Sequence, residues 1–217
     1  MFNLVRNTRN LIRSWREFRN VNRLAWAGFQ WPIQNVVSGV QVNERTALSY
    51  TALYAAVRII SETIATLPLK VYRDLPDGSK EPMPSHPISQ LLRAQPNPEL
   101  TAVAFWETII GHVLTWGNGY AQIIAGEREA PRELWLMSPD RVKPDRGRDG
   151  GLFYEAWDDF GDRHILMPDQ VLHLAGLGFD GIEGYSVVEV GAQSMGLGMA
   201  MERYGSEFFG NGAHPGG

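Results

Sequence analysis

Apolar residues recur along this chain with two periods, and the change between them divides it. Tyr50, Leu53, Val57, Ile60 and Ile64 follow one another at steps of three and four, which predicts one apolar face of a helix. Thr46 and Ser49 stand where a helix cap is needed, and Pro68 supplies a stop. A short strand from Leu69 to Arg73 and a turn at Pro76-Asp77-Gly78 are expected next. Ile88, Leu91 and Leu92 predict a short helix over 87–94, ended by Pro96-Asn97-Pro98. Phe105, Ile109, Val113 and Trp116 predict a longer one from Thr101 to Trp116, broken by Gly117-Asn118-Gly119. Proline placement agrees. The thirteen prolines leave 33–67, 99–130 and 169–214 free, and an interior proline costs a helix about 3 kcal/mol.

After Gly119 the period moves from 3.6 toward 2. Tyr120–Ala125, Glu133–Met137, Val142–Pro144, Phe153–Asp158, His164–Met167 and Val171–Leu174 read as short strands. Gly126, Asp149-Gly150-Gly151 and Asp159-Phe160-Gly161-Asp162 separate them as turns. Helices followed by a meander of strands predict an α+β fold with an antiparallel sheet. The chain closes with a Gly/Met-rich helix from Ser186 to Phe209, holding Gly191, Met195, Gly196, Gly198, Met199 and Met201. Each interior glycine costs about 1 kcal/mol, which a close helix contact can offset.

Charge is unevenly spread. The formal net charge is −4, yet residues 1–24 hold Arg6, Arg9, Arg13, Arg16, Arg19 and Arg23 against a single acid, Glu17. The arm carries +5 and the remainder −9. At about 100° per residue, Leu4, Leu11, Trp15 and Phe18 share one narrow sector while the arginines take another. Residues 1–24 thus read as a basic amphipathic arm, either a surface helix or a tail ordered on binding. Such an arm suits an acidic partner, nucleic acid or a membrane surface. Residues 25–42, with Gly28 and Pro32, read as a linker. An acidic body is a poor general nucleic-acid binder.

The chain has 217 residues and no cysteine. Disulfide scaffolds, thiol nucleophiles, thiolate zinc sites and iron–sulfur clusters are excluded. No stretch approaches the ~18 apolar residues of a membrane span, and no membrane partner is expected. Motifs for chemistry are weak. Gly176-Leu177-Gly178-Phe179-Asp180-Gly181 matches a dinucleotide fingerprint. However, Ile182-Glu183-Gly184-Tyr185 separates it from the next helix, so a loop is expected. Asp159-Phe160-Gly161 copies a kinase triplet inside a hairpin turn. His86, His112, His164, His173 and His214 show no metal-binding spacing, and no serine sits in a nucleophile elbow. His173 alternates with apolar neighbours and reads as a hydrogen-bonded sheet histidine. No catalytic, cofactor-binding or metal-ligating residue is assigned, and no cofactor is implied.

Several stretches, in order, resemble the portal proteins of tailed bacteriophages. They are Leu48 to Pro68; His86-Pro87 with Leu91-Leu92 and Pro96-Asn97-Pro98; Gly117-Asn118-Gly119-Tyr120, similar to the family's Gly-Asn-x-Tyr; Pro139-Asp140-Arg141-Val142; Leu172-His173-Leu174; and Phe208-Phe209-Gly210-Asn211-Gly212-Ala213 followed by Pro215-Gly216-Gly217. They cover residues 43–217 and leave the arm outside. Val187 follows Ser186 where the family commonly has proline.

The resemblance implies a wing-region domain over 43–217. Family members run close to twice this length, through stem, clip, tunnel loop and crown, so the resemblance implies a fragment or a truncated remnant. It implies a structural subunit of a ring, usually a dodecamer, at one capsid vertex. The ring seeds head assembly, docks the terminase large subunit and passes double-stranded DNA in and out. Such a subunit is assembled in the bacterial host cytoplasm and resides in the virion; it performs no bond chemistry. Met195, Gly198, Met199, Glu202, Phe208 and Phe209 become candidates for the subunit interface, against the alternative of an intrachain helix pair. The arm becomes a candidate contact to the major capsid protein, a scaffold protein or DNA. Two rivals make other demands. A metal-dependent hydrolase would gather His164, Asp169 and His173 around a cation. A nucleic-acid-binding module would act through the arginine arm.

Overall fold

Two of the helices begin where a short polar side chain takes a free amide. The computed structural model describes residues 34–35, 39–126, 130–178 and 181–212. Helix α1 spans Thr51–Ala65, α2 Pro87–Arg93, α3 Ala102–Trp116 and α4 Val187–Gly210. Thr101 caps α3 by accepting from the Ala104 amide at 3.3 Å, and Ser186 caps α4 by accepting from Glu189 at 3.1 Å. His86 Nδ1 accepts from the Ile88 amide at 3.3 Å, with Pro87 at the first helical position of α2. Thr46 and Ser49 do not cap α1. They close the 3-10 turn before it, Ala47–Ser49, where Thr46 and Asn43 hold each other's amides and Ser49 donates to the Thr46 carbonyl.

The strands are antiparallel throughout, but they do not form one meander. Strands β1 (Gln34–Asn35) and β2 (Gln41–Val42) pair, as do β3 (Tyr72–Asp74) and β4 (Lys80–Pro82). The strand expected from Leu69 therefore starts at Tyr72, where Lys80–Pro82 offers a partner. Strand β5 (Asn118–Ala125) lies between β6 (Pro131–Met137) and β10 (Val171–Ala175). Between β6 and β10 in sequence, β7 (Val142–Arg146), β8 (Leu152–Trp157) and β9 (Arg163–Leu166) make a second sheet. Two sheets form because β5 is apolar on both faces. Tyr120 packs with Met137, Val142, Tyr154, Ala156, Leu166 and Val171, the core shared by the two sheets. Ala121, on the opposite face, packs with Phe105, Ile109, Leu91 and Leu134 beneath α3 and α2. A single sheet could cover only one of these faces.

A third core joins β2, the 3-10 turn and the start of α4 through Val42, Ala47, Val188 and Ala192, with Leu53, Met195 and Met199 against it. Val42, at the end of the segment read as linker, is thus fully packed. Helix α1 packs along α3. Its inner side at the C-terminal end is Ser61 and Ala65, so Ile59, Ile60 and Ile64 stay exposed. The expected apolar face is half used: Leu53 and Val57 turn inward, Ile60 and Ile64 do not.

Candidate functional site

The motif Gly117-Asn118-Gly119-Tyr120 ends a helix, starts a strand and anchors a distant loop. Gly117 closes α3 with φ of 80°, and a Cβ there would run into the Gly184 and Tyr185 backbone. Asn118 is buried. Its Oδ1 accepts from the Gly184 amide at 2.9 Å, and its Nδ2 donates to the Gly184 carbonyl at 2.8 Å. His173 Nε2 lies 3.0 Å from Asn118 Oδ1, and His173 Nδ1 lies 3.3 Å from the Tyr154 hydroxyl. Oδ1 can only accept, so the pattern assigns the proton to Nε2 and makes Tyr154 the donor at Nδ1. Burial drops the His173 pKa to about 4, so this is a neutral chain of hydrogen bonds. The His173 ring stacks on Tyr120 at 4.4 Å. His173 is the hydrogen-bonded sheet histidine its alternating pattern predicts.

Beside Asn118 opens a cavity of about 310 Å³, lined by Glu44, Trp116, Glu183, Ser186 and Glu189 among others. Ser186 Oγ lies 2.9 Å from both Glu44 Oε1 and the Thr115 carbonyl and shares its proton between them. Burial, with the neighbouring Glu44 carboxylate, raises the Glu189 pKa. These contacts tie the start of α4 to α3 and to the segment before the 3-10 turn. A second cavity of about 320 Å³ is lined by Leu48, Val57, Gly111, His112 and Trp116 among others. His112 Nδ1 is buried there without a hydrogen-bond partner, and burial pushes its pKa down to about 4.

The residues of the hydrolase reading serve separate structural tasks. His164 Nε2 is 3.0 Å from Asp158 Oδ2 at the end of the second sheet. His173 belongs to the Asn118 chain. Asp169 lies in a 3-10 turn, Pro168–Gln170. Among the described residues no three His, Asp or Glu side chains gather as a metal site. The Asp159-Phe160-Gly161 turn is a hairpin: Asp158 Oδ1 accepts from the Phe160 and Asp162 amides at 3.0 and 2.8 Å, and Arg141 pairs with Asp159. Of the Gly176–Gly181 stretch, Phe179 and Asp180 lie outside the described residues. The described part forms a loop, with the Gly176 amide donating to the Gly117 carbonyl at 2.7 Å.

The candidate interface residues of α4 divide. Met195 and Met199 pack inside the chain on Val188 and Ala192. Gly198 faces Tyr50, and a Cβ there would lie 2.9 Å from the ring. Glu202 and Phe209 are exposed, and Phe208 stacks on Tyr204 at 6.4 Å. Sequence reasoning missed Val190, Leu197, Met201 and Tyr204, which share the outer side of α4 and are 77%, 58%, 66% and 71% exposed. Their spacing was legible, but only the location of the opposite face distinguishes outside from inside. Arg6, Arg9, Arg13, Arg16, Arg19 and Arg23 lie outside the described residues. Among the described residues no helix is long and apolar enough to cross a membrane.

This architecture defines a small α+β domain whose two three-stranded sheets share one core and whose long last helix is only partly covered by the described residues. Comparison with known proteins identifies its class. The phage portal protein family matches residues 51–217, and the chain belongs to that family. It is 31% identical over 207 residues to a probable portal protein of Streptomyces phage phiC31, covering 88% of this chain and 44% of that one. It is 30% identical over 176 residues to the portal protein of Enterobacteria phage HK97, covering 79% of this chain and 40% of the relative. The chain thus spans less than half the length of these two relatives. Among solved structures it resembles a chain in the neck of an empty gene transfer agent particle computed with C6 symmetry. There the TM-score is 0.67 and the identity 26%, with 89% of this chain and 52% of the other covered. A crystal structure of an HK97 family phage portal protein from Corynebacterium diphtheriae shares the fold, with a TM-score of 0.54, 14% identity, and 77% and 50% covered.

Proposed function

We propose that this chain is a structural subunit of a portal ring at a capsid vertex, assembled in the bacterial cytoplasm and carried in the virion. The ring is the entry and exit conduit for double-stranded DNA and the docking site for the terminase large subunit. The observation that carries this reading is the family match over residues 51–217. The likeness to a neck chain in a particle of cyclic symmetry supports it. The net charge supports it too, since an acidic body does not grip the DNA that passes it.

Ring formation needs side-to-side contacts between copies. Ile59, Ile60 and Ile64 leave exposed apolar surface on α1, and Glu202, Phe208 and Phe209 near the end of α4 supply a second contact region. Met195, Gly198 and Met199 support that contact from within by holding α4 on the body. Contact of the basic arm, residues 1–24, with the major capsid or scaffold protein belongs to the same reading.

The test is the variant Ile59→Glu/Ile60→Glu. Both side chains are exposed, so the fold is retained, while buried charge opposes association. Retained far-ultraviolet dichroism with loss of assembled species supports the reading. Assembly equal to the unsubstituted chain removes α1 from the interface.

A further inference from the structure

The two cavities, of about 310 and 320 Å³, adjoin across Glu44 and Trp116, which line both. Glu44 is 8% exposed while Arg45 beside it is exposed, so the chain turns the acid inward and the base outward. The Glu44 carboxylate accepts one hydrogen bond, from the neutral Ser186 hydroxyl at 2.9 Å. Among the described residues no lysine or arginine pairs with it. A carboxylate buried this deeply ordinarily has a cation beside it.

In the first cavity Glu183 and Glu189 join Glu44, and burial together with the Glu44 charge raises the Glu189 pKa. One carboxylate suits the N-terminus of α4, where the helix dipole favours negative charge; three exceed that need. Among the described residues these carboxylates do not converge as metal ligands, so the counter-charge that fits is an extended one. A guanidinium is planar, offers five donors and stacks on an aromatic wall such as Trp116.

The second cavity has Leu48, Val57 and Gly111 in its walls. Gly111 lies inside α3, where glycine is unfavourable, yet a Cβ there would meet nothing within 4 Å. No contact within the chain requires that glycine. His112, in the same wall, keeps a buried Nδ1 without a hydrogen-bond partner, so packing around this cavity is incomplete within the chain.

We propose that the two cavities form a two-part socket for a segment of a partner protein, in which an arginine enters the acidic side and a neighbouring apolar side chain fills the space over Gly111. Charge complementarity selects this occupant, since the buried Glu44 and its acidic neighbours lack a counter-ion of their own. Bound there, the segment braces the chain before the 3-10 turn against α3 and the start of α4. The socket is complete in one chain and needs no ring.

Fluorescence anisotropy on the full chain tests this with labelled glycine-based peptides, each holding one arginine and one leucine at a varied separation. At least one separation is expected to bind, and replacing its arginine by neutral citrulline should weaken binding at least about tenfold. Glu44→Gln keeps an acceptor for Ser186 and removes the charge. It must weaken the arginine peptide by a similar factor and leave the citrulline peptide unchanged. Glu189→Gln, at an exposed position, repeats the charge test should Glu44→Gln unfold. Gly111→Leu, which fills the apolar side, must remove the preference for leucine over alanine in the peptide. Equal binding of the arginine and citrulline peptides overturns the proposal, and so does binding of none, which leaves the cavities to water alone. A concentration-dependent dimer that Glu44→Gln abolishes also overturns it and assigns the socket to a second copy.

Discussion

Asn118 and Gly184, 66 residues apart, exchange two hydrogen bonds of 2.9 and 2.8 Å. This pair fixes where the loop after β10 crosses the end of α3, and so where α4 begins. The loop's Gly184 meets the Gly117 backbone with no room for a side chain on either. Two residues later Ser186 starts the helix. Asn118→Ala leaves the Gly184 amide and carbonyl and His173 Nε2 without their partner, each buried or half-buried. Each such group costs about 1–3 kcal/mol, so a loss of roughly 3 kcal/mol is expected, read by urea denaturation. Asn118→Asp fares no better, because it removes the donor to the Gly184 carbonyl and places a charge in the interior.

Acid destabilises the fold in two windows. His112 and His173 are held at about 4 by burial, against 6.5 in the unfolded chain. Above pH 6.5 both states are neutral at these residues. As pH falls from 6.5 toward 4 the unfolded chain binds protons that the folded chain refuses, so stability drops. The loss for His112 is of order 3 kcal/mol by pH 4. Asp158 acts in a lower window. Its burial favours the neutral acid, but hydrogen bonds from His164 and from the Asp162 and Phe160 amides, with the charge on His164, outweigh it and lower its pKa. Its contribution is present above the ordinary carboxylate range and is lost as pH falls through its folded value. Denaturation midpoints at pH 7, 5 and 3.5 check both. His112→Leu, which removes an unpaired buried nitrogen, should flatten the upper window.

The glycines of α4 are not equivalent. At Gly205 an added Cβ meets nothing within 4 Å, so Gly205→Ala should stabilise by up to about 1 kcal/mol through helix propensity. At Gly198 the same Cβ lies 2.9 Å from the Tyr50 ring. Gly198→Ala gains propensity and loses packing, and is expected within about 1 kcal/mol of the starting chain. Gly198→Leu displaces Tyr50 and should cost about 1–3 kcal/mol. A shift in thermal midpoint separates the three.

Element positions were legible because local signals decided them. Pro87, Thr101, Gly117 and Ser186 mark helix ends by chemistry that acts within a few residues, and the structure places the ends there. Pairing was not legible. Nothing local to Val142–Leu166 says that three strands leave the first sheet and pack on Tyr120 rather than extending it. The packed face of α1 was misread for the same reason, since Ser61 and Ala65 are small enough for close approach to α3 and Ile60 and Ile64 are not. Of the site, the Gly117–Tyr120 motif stood out in sequence. Its partners Gly184 and His173, and the Glu44–Ser186 contact across 142 residues, needed the fold to be seen.

Oligomeric state tests the central claim most directly. Native mass spectrometry of the purified chain over a range of micromolar concentrations, with class averages from electron microscopy, should show a closed cyclic species that Ile59→Glu/Ile60→Glu abolishes. A folded chain that stays monomeric across the whole range would contradict a ring subunit built on these surfaces.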